Sequence, residues 1–451
     1  SSQFPENALY FSLDIDSGKP ANSSVSSAGS TSLMHIDWFL FLTNHFGAWQ
    51  IGTAFFTLCA WASLVYEVWS MRCSDKNAKP DGSAPSREPM WDIAKYVLIW
   101  FVWLFHCQIP LSWHSYYSGW FMATFFFISG LVREFDKLEC VPSKKGLVRV
   151  LRDNVLSLIF LVVLIRLISL ECYRWSVPWF FIGLGTCRIV VEPCCRMLTK
   201  PFGRVAGSSL MLVGAFSVPW ILHKRAINIP LPDCLSPYHC STPEYCTMIS
   251  GFIQENWLFY AIGLTTDAKW LARTLKTRIA SFFCIVAVIV VLLLKQFGFV
   301  TAPDAFATPF SDCLWDLDSA QLIVARLFCT LLFLGCIAPI SSYGGIVADL
   351  LTQLGQRTLY GYWINAVLVM LLKEKHTKVL YVLTSMDEDQ LPSHPAFVHL
   401  IVFLSASASC CPLSEWLFRW VVSPQWVFDG GAKAISLMKT LRSKQQGSIG
   451  S

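Results

Sequence analysis

Three ionisable residues share one apolar segment, and their spacing suits chemistry on a hydroxyl group. Asp92 and Lys95 are three positions apart, and Lys95 and His106 are eleven positions apart. In an α-helix with 3.6 residues per turn, the second spacing puts Lys95 and His106 on one face, about 16 Å apart along the axis. We therefore expect an Asp92–Lys95 ion pair at one end of a helix, and His106 well inside the apolar segment.

The chemistry that suits this arrangement is general-base catalysis. A neutral imidazole is the side chain best suited to take a proton from a hydroxyl group near pH 7. Ionisable groups deep in a membrane segment are costly and usually face an interior cavity where they act. We predict that His106, Lys95 and Asp92 form the catalytic set. The structural alternatives are a core histidine near the outer interface for His106 and an anchor at the membrane edge for Lys95. His114 is predicted to lie at the outer interface.

The chain that carries these residues is strongly apolar. Of its 451 residues, 54% are hydrophobic and only 14% are charged, and the mean hydropathy is +0.49. Soluble globular proteins carry roughly 25% charged residues, so the composition excludes an ordinary soluble, fibrous or disordered protein. The net charge of +5 is too small to indicate nucleic-acid binding. Because backbone groups inside a bilayer must be hydrogen-bonded within each span, we predict an all-α integral membrane protein.

Eleven apolar segments are predicted to cross the lipid bilayer, each as a helix. They are 46–68, 93–113, 116–132, 151–170, 176–193, 207–222, 250–265, 279–299, 320–341, 357–373 and 396–421. The sixth and seventh are short enough to be tilted or re-entrant. The 17 cysteines include no CxxC pair with histidines at zinc spacing, so we predict no metal site.

The charges of the connecting loops predict an orientation. The loops at 133–152, 194–206 and 267–278 are basic, whereas the loop at 300–319 carries acidic residues and no basic ones. Basic loops stay preferentially in the cytosol. We therefore predict an N-terminus that is outside or lumenal and a C-terminus that is cytosolic, in a membrane that the sequence does not identify.

The order of several motifs resembles the acyltransferase 3 family of multi-pass membrane O-acyltransferases, and most of all its fucose 4-O-acetylase-like branch. The family core begins with an acid, a basic residue three positions later and a histidine eleven positions after that, a register that Asp92, Lys95 and His106 match. Further matches follow in the family's order. They are Phe125–Gly130, Arg149 with Arg152, Pro178–Phe181, Trp257–Gly263, Leu354–Asn365 and Leu413–Pro424.

This resemblance implies a ten-helix acyltransferase core preceded by one additional N-terminal span. It also implies acetyl-CoA, or another acyl-CoA, as the donor substrate, with no permanently bound cofactor, and a carbohydrate or similar hydroxyl as the acceptor. Arg149 and Arg152 are predicted to bind the donor; the alternative is that they only set the orientation of the chain. Two positions depart from the branch, since Phe121 and Asn365 stand where its members often carry histidine. They imply a different acceptor or a reduced activity.

The sequence divides into four regions on these grounds. Residues 1–33 are predicted to be a flexible Ser-rich tail, 34–86 to hold the additional span and a linker, 87–428 to be the membrane acyltransferase domain, and 429–451 to be a basic cytosolic tail.

Three other functions stay open. One is a multi-pass transporter, although the chain lacks the related halves that transporters often show. Another is a different acyltransferase family whose catalytic histidine lies late in the chain, where His376, His394 and His399 are the candidates. The third is a degenerate, non-catalytic member of the resembled family.

Overall fold

A computed structural model describes residues 46–75, 88–106, 120–133, 144–157, 179–224, 256–296, 317–371 and 395–431, together with residues 159, 160, 163, 253, 433 and 438. Within these residues the chain forms helices and no strands. The predicted all-α class is therefore confirmed for the described part. The Ser-rich tail 1–33, much of the linker before residue 87 and most of the tail 429–451 lie outside it.

The α-helices of the described residues are numbered here in chain order. They are α1 (Phe46–Asp75), α2 (Pro89–His106), α3 (Phe121–Leu131), α4 (Lys144–Val150), α5 (Trp179–Thr186), α6 (Glu192–Lys224), α7 (Ala268–Leu275), α8 (Arg278–Gln296), α9 (Leu317–Tyr343), α10 (Ile346–Gln356), α11 (Thr358–Leu371), α12 (Pro395–Ser409) and α13 (Pro412–Val422). Two π-helical segments, Leu151–Leu156 and Cys187–Val191, continue α4 and α5.

A few helices are long and apolar enough to cross a membrane. Among the described residues, Ile323–Tyr343 of α9 is long and apolar enough to cross a bilayer on its own. The pairs α7–α8 and α12–α13 are bent by 76° and 60°, and each qualifies if the pair is counted as one span. The surface agrees with a lipid environment, because α8 exposes large apolar side chains that include Phe282, Phe283 and Ile289.

Three stretches that the sequence predicted as loops are wholly or partly helical, and the first, 133–152, contains α4. The basic stretch 194–206 belongs to α6, whose course is interrupted only at Gly203, where φ is 78°. Glycine adopts this backbone conformation without the steric cost that a Cβ adds. The stretch 267–278 contains α7, whose N-cap is Asp267; the carboxylate of Asp267 accepts hydrogen bonds from two backbone amides. Charged residues on short helices and at helix caps interrupt the apolar pattern in the same way as loop residues, which is why the prediction was wrong.

Two boundaries also differ from the predicted segments. The last apolar segment, 396–421, is not one helix, because the chain turns at Cys410–Cys411 and restarts with Pro412 at the first position of α13. Proline is favoured there, since the first helical residue needs no amide donor. In addition, α10 lies between two predicted spans and was not predicted, because Asp349 and Gln353 interrupt its apolar pattern.

Helix α2 lies at the centre of the described helices. It packs against α3, α9, α10, α11 and α12. Its fully buried side chains include Tyr96 and Trp103, whose polar atoms bond to neighbouring helices: the Tyr96 and Ser407 hydroxyls are hydrogen-bonded, and Trp103 Nε1 donates to the Gly361 carbonyl at 3.2 Å. Aromatic residues that are buried with their polar atoms paired fix the rotation of a helix in its surroundings. The helices around α2 therefore hold it, with Asp92 and Lys95, in one orientation.

Gly355 of α10 gives the first prediction, because its backbone lies directly against that of Asp92. A Cβ atom at Gly355 would overlap the Asp92 carbonyl oxygen, and a backbone oxygen cannot rotate away as a side chain can. We expect Gly355→Ala to lower the free energy of unfolding by about 3 kcal/mol, the upper end for an overpacked interior. Denaturant titration in detergent measures the change.

Gly214→Ala is the matched control for this substitution. Gly214 lies in α6, and a Cβ atom there would meet no atom within 4 Å. Alanine is favoured over glycine in a helix by about 1 kcal/mol, so this variant should be as stable as the wild type or more stable. Equal stability of the Gly355→Ala and Gly214→Ala proteins would show that α2 and α10 are not in close contact.

Candidate functional site

Asp92 and Lys95 form an ion pair at the start of α2. Lys95 Nζ lies 2.7 Å from Asp92 Oδ1, and the two side chains are 11% and 1% exposed, respectively. The pair lies in the first turns of the helix, where the partial positive charge of the helix N-terminus also stabilises a carboxylate. The predicted pairing is thus present. A lysine this deeply buried does not match the alternative of an anchor that extends to the membrane edge.

Helix α2 extends from this ion pair to His106, its last residue. The positions between Lys95 and His106 on the same face are Ile99 and Val102, which are 0% and 2% exposed. The face that carries Lys95 and residue 106 in register is therefore directed to the protein interior. The side chain of His106 lies outside the described part of the structure.

The two predicted donor-binding arginines lie in the region after α3. Arg152 is in the π-helical segment Leu151–Leu156, and its Nη1 donates a hydrogen bond of 2.7 Å to Oε1 of Gln425 near the C-terminal end. Its side chain is accessible, as a ligand-binding role requires. Arg149 is in α4, and its side chain is outside the described part. Of the motif residues further along, Asn365 is buried in α11 and Phe121 is buried in α3.

One histidine late in the chain, His399, contacts α2. His399 of α12 is half-buried, and its ring stacks edge-on against Trp100 of α2 with 6.2 Å between centroids. The sequence left His399 open as a candidate late catalytic histidine, beside a predicted outer loop. His114, His376 and His394 lie outside the described residues.

Two acidic residues meet one arginine in a network that the sequence did not predict. Arg357, between α10 and α11, bonds to Glu67 of α1 and to Glu415 of α13, both at 2.7 Å. The Arg357 side chain is only 12% exposed. A second ion pair, Arg72–Asp349, joins α1 to α10 at the surface. Helix α1 is therefore joined by ion pairs to α10 and to the residue that follows it.

Arg357 gives the second prediction. We expect Arg357→Ala to lower the free energy of unfolding by about 2–4 kcal/mol, because it leaves two partly buried carboxylates without their cation. Denaturant titration of purified protein measures this loss. Arg72→Ala is the control: its ion pair with Asp349 is 42% and 45% exposed, and exposed pairs contribute about 0–1 kcal/mol. Equal losses in the two variants would contradict a special role for Arg357.

A further polar cluster joins three helical stretches near Glu192. Arg133 binds the Glu192 carboxylate with both ends of its guanidinium group, at 2.8 and 2.9 Å. The Tyr260 hydroxyl, in the helix 256–265, donates a third hydrogen bond to Glu192 Oε1 at 2.5 Å. Glu192 and Tyr260 are buried. From the sequence, Arg133 counted only toward the charge of its loop, and Glu192 had no assigned role. The available signal was an acid at the end of an apolar segment.

No protein-family model, no curated protein and no solved structure matches the chain. The resemblance to membrane O-acyltransferases therefore depends on the sequence motifs alone. Among the described residues, no three histidine, cysteine or acidic side chains are grouped in a way that could hold a metal ion.

Proposed function

We propose that this protein is a membrane O-acyltransferase that transfers an acyl group, acetyl in the first instance, from acyl-CoA to a hydroxyl of a carbohydrate or similar acceptor. The observation that carries the proposal is the buried Asp92–Lys95 ion pair at one end of a helix whose interior face leads to His106. Ion pairs are rare in apolar helices and expensive to bury, and they usually mark functional sites. The motif series around this pair supports acyl transfer over other chemistry.

In the proposed reaction, His106 acts as general base. It takes the proton of the acceptor hydroxyl as the oxygen attacks the thioester carbonyl carbon of the donor. The new ester C–O bond forms, the C–S bond breaks, and His106 returns the proton to the leaving thiolate. General-base assistance of this kind contributes about 10²–10⁴ to a rate. Lys95, held by Asp92, supplies a fixed positive charge that steadies an anionic group of the donor.

We also propose that about eleven helices cross the membrane, with the C-terminus in the cytosol. Four side-chain contacts support this arrangement, because each joins two segments that the loop charges assign to the cytosolic side. They are Glu88–Lys276, Arg133–Glu192, Arg72–Asp349 and Arg152–Gln425. An odd number of spans and a cytosolic C-terminus bring all eight residues to one side. The donor would then reach Lys95 from the cytosol.

Release of free CoA tests the proposal. The full chain is purified in lipid nanodiscs and supplied with acetyl-CoA, with and without a panel of sugars. We expect sugar-dependent CoA release by the wild type, a loss of release in His106→Ala, and retained release in His399→Ala. Loss in His399→Ala alone would favour the acyltransferase class with a late catalytic histidine. If a folded wild type releases no CoA with any donor or acceptor, the acyltransferase proposal is wrong, and a transporter or a degenerate family member replaces it.

A further inference from the structure

Two π-helical segments meet through one buried asparagine. Asn154 lies in Leu151–Leu156, and Arg188 lies in Cys187–Val191. Nδ2 of Asn154 donates to the Phe181 carbonyl at 3.1 Å, and its Oδ1 accepts a hydrogen bond from Arg188 Nη1 at 3.2 Å. π-Helical segments are rare, and they occur frequently at functional sites. Here they bring the Arg188 guanidinium group and the buried Asn154 amide together, and so join the predicted segments 151–170 and 176–193.

The carboxylate of Glu192, four positions after Arg188 in the chain, is bound by other groups. Both oxygens of Glu192 are occupied by Arg133, and Tyr260 adds a further hydrogen bond to one of them. Among the described residues, Arg188 forms no ion pair, and its buried Nε has no hydrogen-bond partner. A half-buried guanidinium group whose only hydrogen-bond partner is a neutral amide is energetically unfavourable. An anion would supply both the missing charge and the missing acceptor.

The chemistry of the guanidinium group indicates which anion. A guanidinium group is a planar fork that matches the oxygens of a phosphate group, and at Arg188 the Nη edge is the part left to a ligand, since Nε is buried. The following helix α6 continues the positive charge with Arg196, Lys200 and Arg204, and such a field draws in polyanions. On the other side, Ile189 and Val190 are exposed apolar side chains. The half-buried Arg188 therefore lies between a basic stretch of α6 and an exposed apolar surface.

We propose that Arg188, positioned by Asn154, binds a phosphate group, at a site separate from Arg149 and Arg152. The assignment of that phosphate to acyl-CoA rests on the function proposed above, whereas phosphate binding itself does not. The headgroup of an anionic phospholipid offers the same chemistry, so the test must distinguish the two sources.

Binding measurements on the full chain make this distinction. Calorimetric titration of CoA into nanodiscs of neutral phosphatidylcholine measures binding of the soluble ligand. Native mass spectrometry of protein from nanodiscs that contain phosphatidic acid counts the retained lipid. We expect Arg188→Ala to weaken the Kd for CoA about ten- to hundred-fold, as the loss of a charged hydrogen-bond donor does. Arg273→Ala is the matched control: it removes one positive charge from the exposed surface of α7 and should leave the Kd nearly unchanged.

A second variant keeps the test independent of the fate of Arg188→Ala. Asn154→Asp has nearly the same shape, and its carboxylate, beside Arg188, would compete with a bound phosphate. It should lose CoA binding as Arg188→Ala does while it elutes as a folded protein. Loss of retained phosphatidic acid without any CoA binding would support the phosphate site and overturn the acyl-CoA assignment. Wild-type affinity for both probes in folded Arg188→Ala and Asn154→Asp, or no binding of either probe to the wild type, would overturn the site itself.

These results are independent of the acyl-transfer assay. If His106→Ala and wild type are equally inactive but CoA binding still depends on Arg188, the proposed function fails and the phosphate site stands. If acyl transfer is lost in His106→Ala but CoA binding does not depend on Arg188, the function stands and the site fails.

Discussion

Replacement of His106 by alanine is expected to lower kcat for acyl transfer by about 10²–10⁴-fold, the contribution of a general base. The acceptor hydroxyl would then have to lose its proton to water. The amount of protein in the membrane should not change, because α2 is anchored upstream of His106 by Tyr96 and Trp103. Steady-state CoA release at saturating acetyl-CoA measures kcat.

His106→Gln separates catalysis from packing. Glutamine retains a polar side chain of similar size but cannot take up the hydroxyl proton, so it should lose as much activity as alanine. The variant should also lose the fall in rate at acidic pH that protonation of a histidine base causes in the wild type. Wild-type turnover in His106→Gln would show that His106 has a structural role only.

Replacement of Lys95 by methionine is expected to have the largest effect on stability. It leaves the Asp92 carboxylate, whose side chain is 1% exposed, without its ion-pair partner. Removal of one member of a buried pair costs about 3–5 kcal/mol of unfolding free energy, since the remaining charge stays in a medium that solvates it poorly. Denaturant titration of the purified protein measures the loss.

The double variant Asp92→Asn/Lys95→Met is the control that separates stability from activity. With both charges removed, most of the lost stability should return, because a neutral pair of similar volume does not require a counter-charge. Acyl transfer should nevertheless stay low if the Lys95 charge acts on the donor. Recovery of both stability and activity in the double variant would show that the ion pair only supports the fold.

The structural features that the sequence predicted depend on residues that lie close together in the chain. The all-α class is confirmed for the described residues, since apolar runs without alternation indicate helices. The Asp92–Lys95 pair is present, since residues three apart on a helix adjoin by geometry. The number of membrane spans and the roles of the site residues stay predictions.

The clusters that the sequence did not predict join residues far apart in the chain. Arg133 and Glu192 are 59 positions apart, and Arg357 and Glu67 are 290 positions apart. Which acid meets which arginine depends on how the helices pack, and apolar periodicity does not encode a unique packing of one helix against another. The π-helical segment around Arg188 is hidden for a further reason: the residues Cys187–Val191 look like the end of an ordinary apolar helix.

Some breaks in helices can be predicted from single residues in the sequence. Pro412 follows two cysteines in the middle of the last apolar segment, and a proline at that position commonly begins a new helix. Gly203 interrupts α6 directly after Pro201 and Phe202. These residues predict breaks in helices by their backbone preferences alone, without knowledge of the neighbouring helices.

A single-turnover experiment with acetyl-CoA labelled in the acetyl group tests the central claim most directly. Wild type, His106→Gln and His399→Ala in nanodiscs are each mixed with labelled donor and the sugar that supports the fastest CoA release. We expect the label to move from CoA to the sugar hydroxyl in wild type and His399→Ala, and to remain on CoA in His106→Gln. Transfer of the label at equal rates in all three proteins, or no transfer by a folded wild type, would contradict acyl transfer with His106 as the general base.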